Sequence, residues 1–281
     1  MPSSDRLTQA AETADGVSVR RDGPVVDVVL SRPQVKNALD LTAWQRLAAV
    51  FRDLADLADH VVIVLSGAGG DLSVGSDISQ FPEHRTGMVR ADEYNTAIDD
   101  ALVTVGDVPH PVIAMISGLA VGGGCELACA ADIRVAAADA RFGVPIARLG
   151  VSIGAVEART LLRVLTPARL KDLLLTGRMI DADEAYRIGL IDRVVSPEDL
   201  ISVTRELALT VATGAPLAAR ANKLTVNAVA DGSLERAAGR IRELTEAIYE
   251  GADLQEGIRS FTEKRRAEFG QTRPPTSGKN G

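Results

Sequence analysis

Apolar and polar residues alternate over residues 17–31 in two short runs, VSVR and VVDVVLS, joined by the turn text RDGP; the pattern predicts a β-hairpin. The next piece, SRPQVKNALD, turns on Pro33 and offers Asn37 or Asp40 as a helix cap. From residue 41 to 58, Leu47, Val50, Phe51, Leu54 and Leu57 recur at helical spacing, and Trp44 joins that face as a core residue. Residues 61–65 are apolar throughout, a buried strand, and run into a glycine-rich loop, SGAGGDLSVGSDIS. Residues 82–90 are polar and read as a mobile segment ahead of a helix at about residues 91–105. Pro109 and Pro111 bracket the entry to a second buried strand, VIAMIS.

That strand leads into SGLAVGGGCELACAADIR, residues 117–134, around which the chain is organised. Three adjacent glycines, Gly122 to Gly124, are costly in chain entropy and imply a backbone that approaches something closely. A helix starting there points unpaired N–H groups and a partial positive charge at whatever lies in front of it. Glu126 follows the middle glycine by three residues, about one turn, so its side chain can face the same place. Both glycine-rich segments leave the end of an apolar strand, the position where open parallel sheets bind ligands.

After a strand at residues 133–137 and the text ARFGVPIARLGVSIGAVEA, the signals are helical almost to the end. A last amphipathic helix is expected over residues 253–269. The resulting division is a loose tail at 1–16, a core of β-β-α units at 17–200, a helical region at 201–270 and a disordered tail at 271–281.

Composition narrows the partners. A net charge of −7 argues against a nucleic-acid or anionic-membrane surface, and aromatics at 3% make base stacking improbable. The longest charge-free apolar run is glycine-broken and too short to span a bilayer, and the N-terminus lacks a signal-peptide pattern. Cys125 and Cys129 share one helix face with no histidine near in sequence, so they read as buried apolar thiols; no metal site and a cytoplasmic location are expected. His60, His84 and His110 have no triad-like context.

Six separated pieces together resemble the crotonase superfamily, the enoyl-CoA hydratase/isomerase family. They are SRPQVKNAL, GAGGDLSVGSDI, SGLAVGGGCELACAADIRVA, ARFGVPIARLG, LLLTGRMIDADEAYRIGLIDRVV and GIRSFTEKRRAEFG, in the family's order, and the resemblance runs from about residue 17 to 270. The resemblance implies an α/β fold of stacked β-β-α units with a C-terminal helical region. It also implies a homotrimer or dimer of trimers with the helical region at subunit contacts, and no cofactor beyond the coenzyme A of the substrate. Relatives hold a thioester carbonyl between two backbone N–H groups, stabilising an enolate. By motif, those donors are Val74 and Gly123, and the acid is Glu126. Lys36, Ala38, Ser76, Asp77, Ile78, Gly122, Pro145 and Ile146 align with the substrate and CoA pocket. Phe261 and Lys264 align with a C-terminal stretch that closes over the nucleotide end.

The chain departs from the pattern at one point. Hydratases of the family orient a water with two glutamates, the second directly after the proline of FG-x-P-E; here FGVPI places Ile146 there. Three readings follow: Glu126 works alone in hydration, dehydration or double-bond isomerisation; another group fills the gap; or the protein binds acyl-CoA without turning it over. Glu157 and Arg148 are the nearest substitutes, with Asp77 third. Glu157 lies three residues beyond Gly154, where some relatives carry a functional carboxylate, a register off by most of a helical turn.

Overall fold

A computed structural model of the chain describes residues 12–270. In order, the elements are β1 (Glu12–Ala14), β2 (Val17–Asp22), β3 (Val25–Leu30), α1 (Leu41–Ala55), β4 (Val62–Gly67), α2 (Phe81–His84), α3 (Met88–Asp107), β5 (Val112–Ile116), β6 (Leu119–Val121) and α4 (Gly123–Ala130). There follow β7 (Ile133–Ala137), β8 (Arg141–Gly143), α5 (Ala155–Leu162), α6 (Pro167–Thr176), β9 (Ile180–Asp181), α7 (Ala182–Arg187) and β10 (Arg193–Val195). Four helices complete the described chain: α8 (Leu200–Ala212), α9 (Pro216–Ala230), α10 (Leu234–Glu250) and α11 (Ala252–Glu263). None of them is long and apolar enough to cross a membrane.

The described residues fall into two compact units, one ending at Leu209 and the other beginning at Thr210. The first holds a sheet ordered β1-β2-β3-β4-β5-β7-β10 and a smaller one ordered β6-β8-β9. The expected hairpin is β2–β3, in antiparallel register from Val17↔Leu30 to Asp22↔Val25. From β3 to β10 the large sheet is parallel, and its central strands are apolar because both faces are covered. The segments that follow β4 and β5 supply residues to the cavity described below.

Helix α1 begins where Asp40 accepts from the Ala43 N–H at 2.8 Å, and it buries Trp44, Leu47, Phe51 and Leu54. Asn37, the other cap candidate, does different work: its buried amide donates to the carbonyls of Ala68 and Asp71 and accepts from the Arg32 N–H. Helix α3 packs on α1, and the Tyr94 hydroxyl donates to the Leu39 carbonyl at 2.9 Å.

Three expectations are amended. Residues 82–90, read as a mobile segment, contain most of α2 and the first turn of α3. Their outward faces are polar and Met88 and Val89 point to solvent, so no apolar stripe advertises the helices. Of the stretch expected as a loose tail, residues 12–14 pair with β2 and residues 15–16 turn between the two strands; residues 1–11, and the tail at 271–281, lie outside the described residues. The last helix ends at Glu263, where Lys264 turns into left-handed backbone (φ 53°). In the second unit α10 packs against both α9 and α11, with Leu244 buried.

Candidate active site

Residues 72–77 are strapped on both sides. Toward β6, the Ser73 N–H donates to Leu119 (3.0 Å) and the Val121 N–H donates to Ser73 (2.9 Å). Toward the loop before α1, the Leu39 N–H donates to Gly75 and the Asp77 N–H donates to Leu39, each at 2.8 Å. The remaining donors are accounted for one by one. Leu72 N–H bonds Ser117, Gly75 N–H bonds the Ser73 hydroxyl, and Val74 N–H bonds the Lys36 carbonyl at 3.1 Å. Among the described residues, only the Ser76 N–H of this segment has no acceptor. Val74 was the donor expected from the motif; its amide is spent inside the protein, so the free donor is two residues further on.

The second donor comes from the first turn of α4. Cys125 and Glu126 N–H groups both donate to the Gly122 carbonyl, and the Gly122 N–H donates to Gly143. Gly123 N–H has no acceptor among the described residues, as expected for a first-turn amide. Two glycines let the segments meet. A Cβ on Gly75, whose φ is +82°, would stand 2.7 Å from the Gly123 nitrogen. A Cβ on Gly124 would stand 2.2 Å from the Ser73 carbonyl oxygen. Ser76 and Gly123 are thereby neighbours, and both line a cavity of about 420 Å³.

Of the residues expected at the site, Ala38, Val74, Ser76, Asp77, Ile78 and Gly122 line this cavity, as do Gly123, Glu126, Pro145 and Ile146. Lys36 is exposed and does not, and its backbone is left-handed at φ 54°. Phe261 and Lys264 belong to α11 and its C-terminal end in the second unit, where Phe261 is 87% exposed. Asp77 is committed elsewhere: Ser79 first, and then Arg32 at 3.3 Å, hold its carboxyl below the usual carboxylate value. Arg148 is exposed and absent from the lining. Glu157, from α5, is part of it.

Glu126 is 3% exposed, and no described residue donates a hydrogen bond to its carboxyl. Burial, then the charge of Glu157, then Cys129, push its pKa well above the ordinary carboxylate value, with Arg85 opposing. Burial also raises Glu157, against the Gly154 N–H and Arg85, which favour its ionised form. Arg85 lines the cavity and was missed from the sequence, since it lies in the segment read as mobile. Its guanidinium sits 4.9 Å from the Phe81 ring centre and 5.5 Å from that of Tyr94, and Asn95 accepts from it twice. Cys125 and Cys129 are buried free thiols, and the described residues contain no group of three or more metal-binding side chains.

The arrangement offers two fixed N–H donors, a buried acid one turn above one of them, and apolar walls from Ile98, Ile146, Leu149 and Val151. Known proteins share the frame. The family model for enoyl-CoA hydratase/isomerase matches residues 20–272. A probable enoyl-CoA hydratase of Mycobacterium bovis is 34% identical over 257 residues, covering 92% of this chain and 98% of its own. A carnitinyl-CoA dehydratase of Salmonella arizonae is 33% identical over 262 residues, covering 91% and 98%. Among solved structures, an enoyl-CoA hydratase/carnithine racemase from Magnetospirillum magneticum superposes with a TM-score of 0.86 at 35% identity, covering 92% of this chain and 96% of that one. This chain belongs to the enoyl-CoA hydratase/isomerase family, within the crotonase superfamily, and has its α/β fold.

Proposed function

We propose that the protein acts on an acyl-CoA thioester, adding water to or removing it from the C2–C3 bond, or moving a double bond, through an enolate. The N–H groups of Ser76 and Gly123 hold the thioester oxygen, and Glu126 transfers the proton. What carries this reading is the pair of acceptor-free amides, from two segments stitched together by Ser73 and Gly75, beside one buried acid. Each such donor, aimed at charge that develops only in the transition state, is worth about 3–4 kcal/mol. Coenzyme A enters as part of the substrate, with no separate cofactor. Lys36, exposed at the rim of the 33–39 loop, is the candidate for a CoA phosphate.

In hydration, the water oxygen bonds to C3 while the C2–C3 π pair shifts toward the thioester. The proton lost by water passes to a carboxylate, and one proton is returned to C2. Glu126, whose pKa burial raises well above the ordinary carboxylate value, suits the return step. The relatives' names support this class of substrate: short-chain enoyl-CoA for a hydratase of Clostridium acetobutylicum, 31% identical over 255 residues, and carnitinyl-CoA for the dehydratase above. Assembly as a trimer or dimer of trimers fits the apolar residues left exposed on α9–α11, among them Val226, Val229 and Ile258.

Turnover of a panel of enoyl-, 3-hydroxyacyl- and carnitinyl-CoA esters tests the reading. Glu126→Gln is expected to lower kcat about 10²- to 10⁴-fold, with binding of a saturated acyl-CoA changed by less than threefold. Unchanged turnover in that variant removes Glu126 from the mechanism. Tight binding with no product from any ester favours the alternative, a non-catalytic acyl-CoA carrier, whose support is the isoleucine at 146.

A further inference from the structure

We propose that Glu157, reaching the cavity from α5, is the second proton-transferring carboxyl group of this site and stands in for the acid that position 146 lacks. The inference rests on the reading given above.

Glu157 is 8% exposed, yet it lines the same cavity as Glu126. It lies in the first turn of α5, and its side chain folds back so that the Gly154 N–H donates to Oε2. A glutamate at this helix position ordinarily caps the helix and nothing more. Capping alone does not require it to be buried beside a second carboxyl group, where each charge opposes the other. The fold-back makes up the register, most of a helical turn, by which Glu157 was off in the sequence. Reaching back one turn, its carboxyl occupies the space at position 154: a Cβ there would stand 2.8 Å from Glu157 Oε2 and 3.9 Å from an Asp99 oxygen. Gly154 is therefore the vacancy that admits the carboxyl, and a side chain at 154 would displace it.

The surroundings divide the pair. Burial raises both groups and Arg85 favours the ionised form of both, but Glu157 alone has a backbone donor, the Gly154 N–H, to hold its carboxylate. Glu126 has no such donor. Asp99 from α3 and Cys129 from α4 add to the local charge balance, and Arg159 of α5 acts on Asp99. Two carboxyl groups in unequal settings are what a step needs that removes one proton from water and returns another to carbon. In hydration, the Glu157 carboxylate takes the proton from water as its oxygen bonds to C3. Glu126 gives its proton to C2 as the enolate pair closes onto that carbon. One proton is taken up and one released, and the two groups have exchanged states. A proton passed from Glu157 back to Glu126 by way of solvent water resets them.

Glu157→Gln keeps an acceptor for the Gly154 N–H and the helix cap, so the fold is expected to survive. For an enoyl-CoA ester that the wild type hydrates, its kcat should fall about 100-fold or more, with KM changed by less than threefold. The bell-shaped pH dependence of kcat/KM, whose two limbs belong to the pair, should lose one limb. In the double variant Glu157→Gln, Ile146→Glu, a carboxyl group at position 146 should restore at least tenfold of the loss. A Glu157→Gln enzyme with kcat within threefold of wild type and both limbs intact overturns the inference and leaves the role of Glu126 standing. A wild type inert toward every ester, with binding retained, overturns this inference and the function together.

Discussion

The two walls of the cavity are built on different principles. The donor wall, residues 72–77 and 122–124, is backbone: every amide but Ser76 and the first-turn glycines is paired, and glycines set the spacing. The opposite wall, residues 145–157, is side chains: a proline, apolar residues, and one carboxyl group reaching back from a helix. A backbone wall has no tolerance, because moving one amide moves its neighbours. A side-chain wall can supply a carboxyl from a different residue, provided the space it needs is vacant. Position 146 holds an isoleucine, which cannot transfer a proton, while Glu157 brings a carboxyl group to the same cavity from a helix.

The sharpest way to break the comparison is at Gly124. Gly124→Ala places a Cβ 2.2 Å from the Ser73 carbonyl oxygen, which forces the two segments apart. It should cost at least about 1–3 kcal/mol in the denaturant midpoint and abolish turnover, since both donors shift together. A fully active Gly124→Ala protein would show that the donor wall is not rigid.

Next in size is Asn37→Ala. This buried amide holds the Ala68 and Asp71 carbonyls and the Arg32 N–H behind the donor wall. Losing it leaves those groups unpaired, at about 1–3 kcal/mol, read as a lower midpoint with unchanged slope. The carboxyl side gives a signature of the opposite sign. Burial and then the charge of Glu157 raise the Glu126 pKa above its unfolded value, so the folded state binds more protons in that range. Stability from this group is full below the ordinary carboxylate pKa and is lost as pH rises through the elevated one. Glu126→Gln should therefore flatten the fall in Tm between the mildly acidic range and alkaline pH, and raise Tm at the alkaline end. Smallest is Lys36→Ala. As an exposed point charge it should raise KM a fewfold at low salt, with kcat unchanged, and the effect should fade as salt is added.

Much of the frame was legible residue by residue. Period-two and helical spacing found the hairpin, α1, the buried strands β4 and β5, and the glycine-rich turn into α4. Motif order pointed to the cavity lining from Ala38 to Ile146. The amide expected to be free was Val74, whereas the unpaired one is Ser76, because a motif identifies the loop but not which of its amides is already paired. Val74 N–H is taken by the Lys36 carbonyl, more than thirty residues away in sequence, a pairing with no local signal. Arg85 was missed for the same kind of reason. Its segment is polar and lacks a stripe, and tertiary contacts, with the rings of Phe81 and Tyr94 and the Asn95 amide, place it at the site.

The sequence by itself determined that two strands end in glycine-rich turns, that one turn starts a helix carrying Glu126, and that position 146 cannot transfer a proton. Those are statements about residue types and short-range spacing, which the chain carries wherever it folds. Tertiary structure alone decided which amides remain unpaired and which carboxyl group faces Glu126. Both depend on groups distant in the chain: an amide is free only if no carbonyl reaches it, and Glu157 enters the cavity only because its side chain turns back into the space left at Gly154.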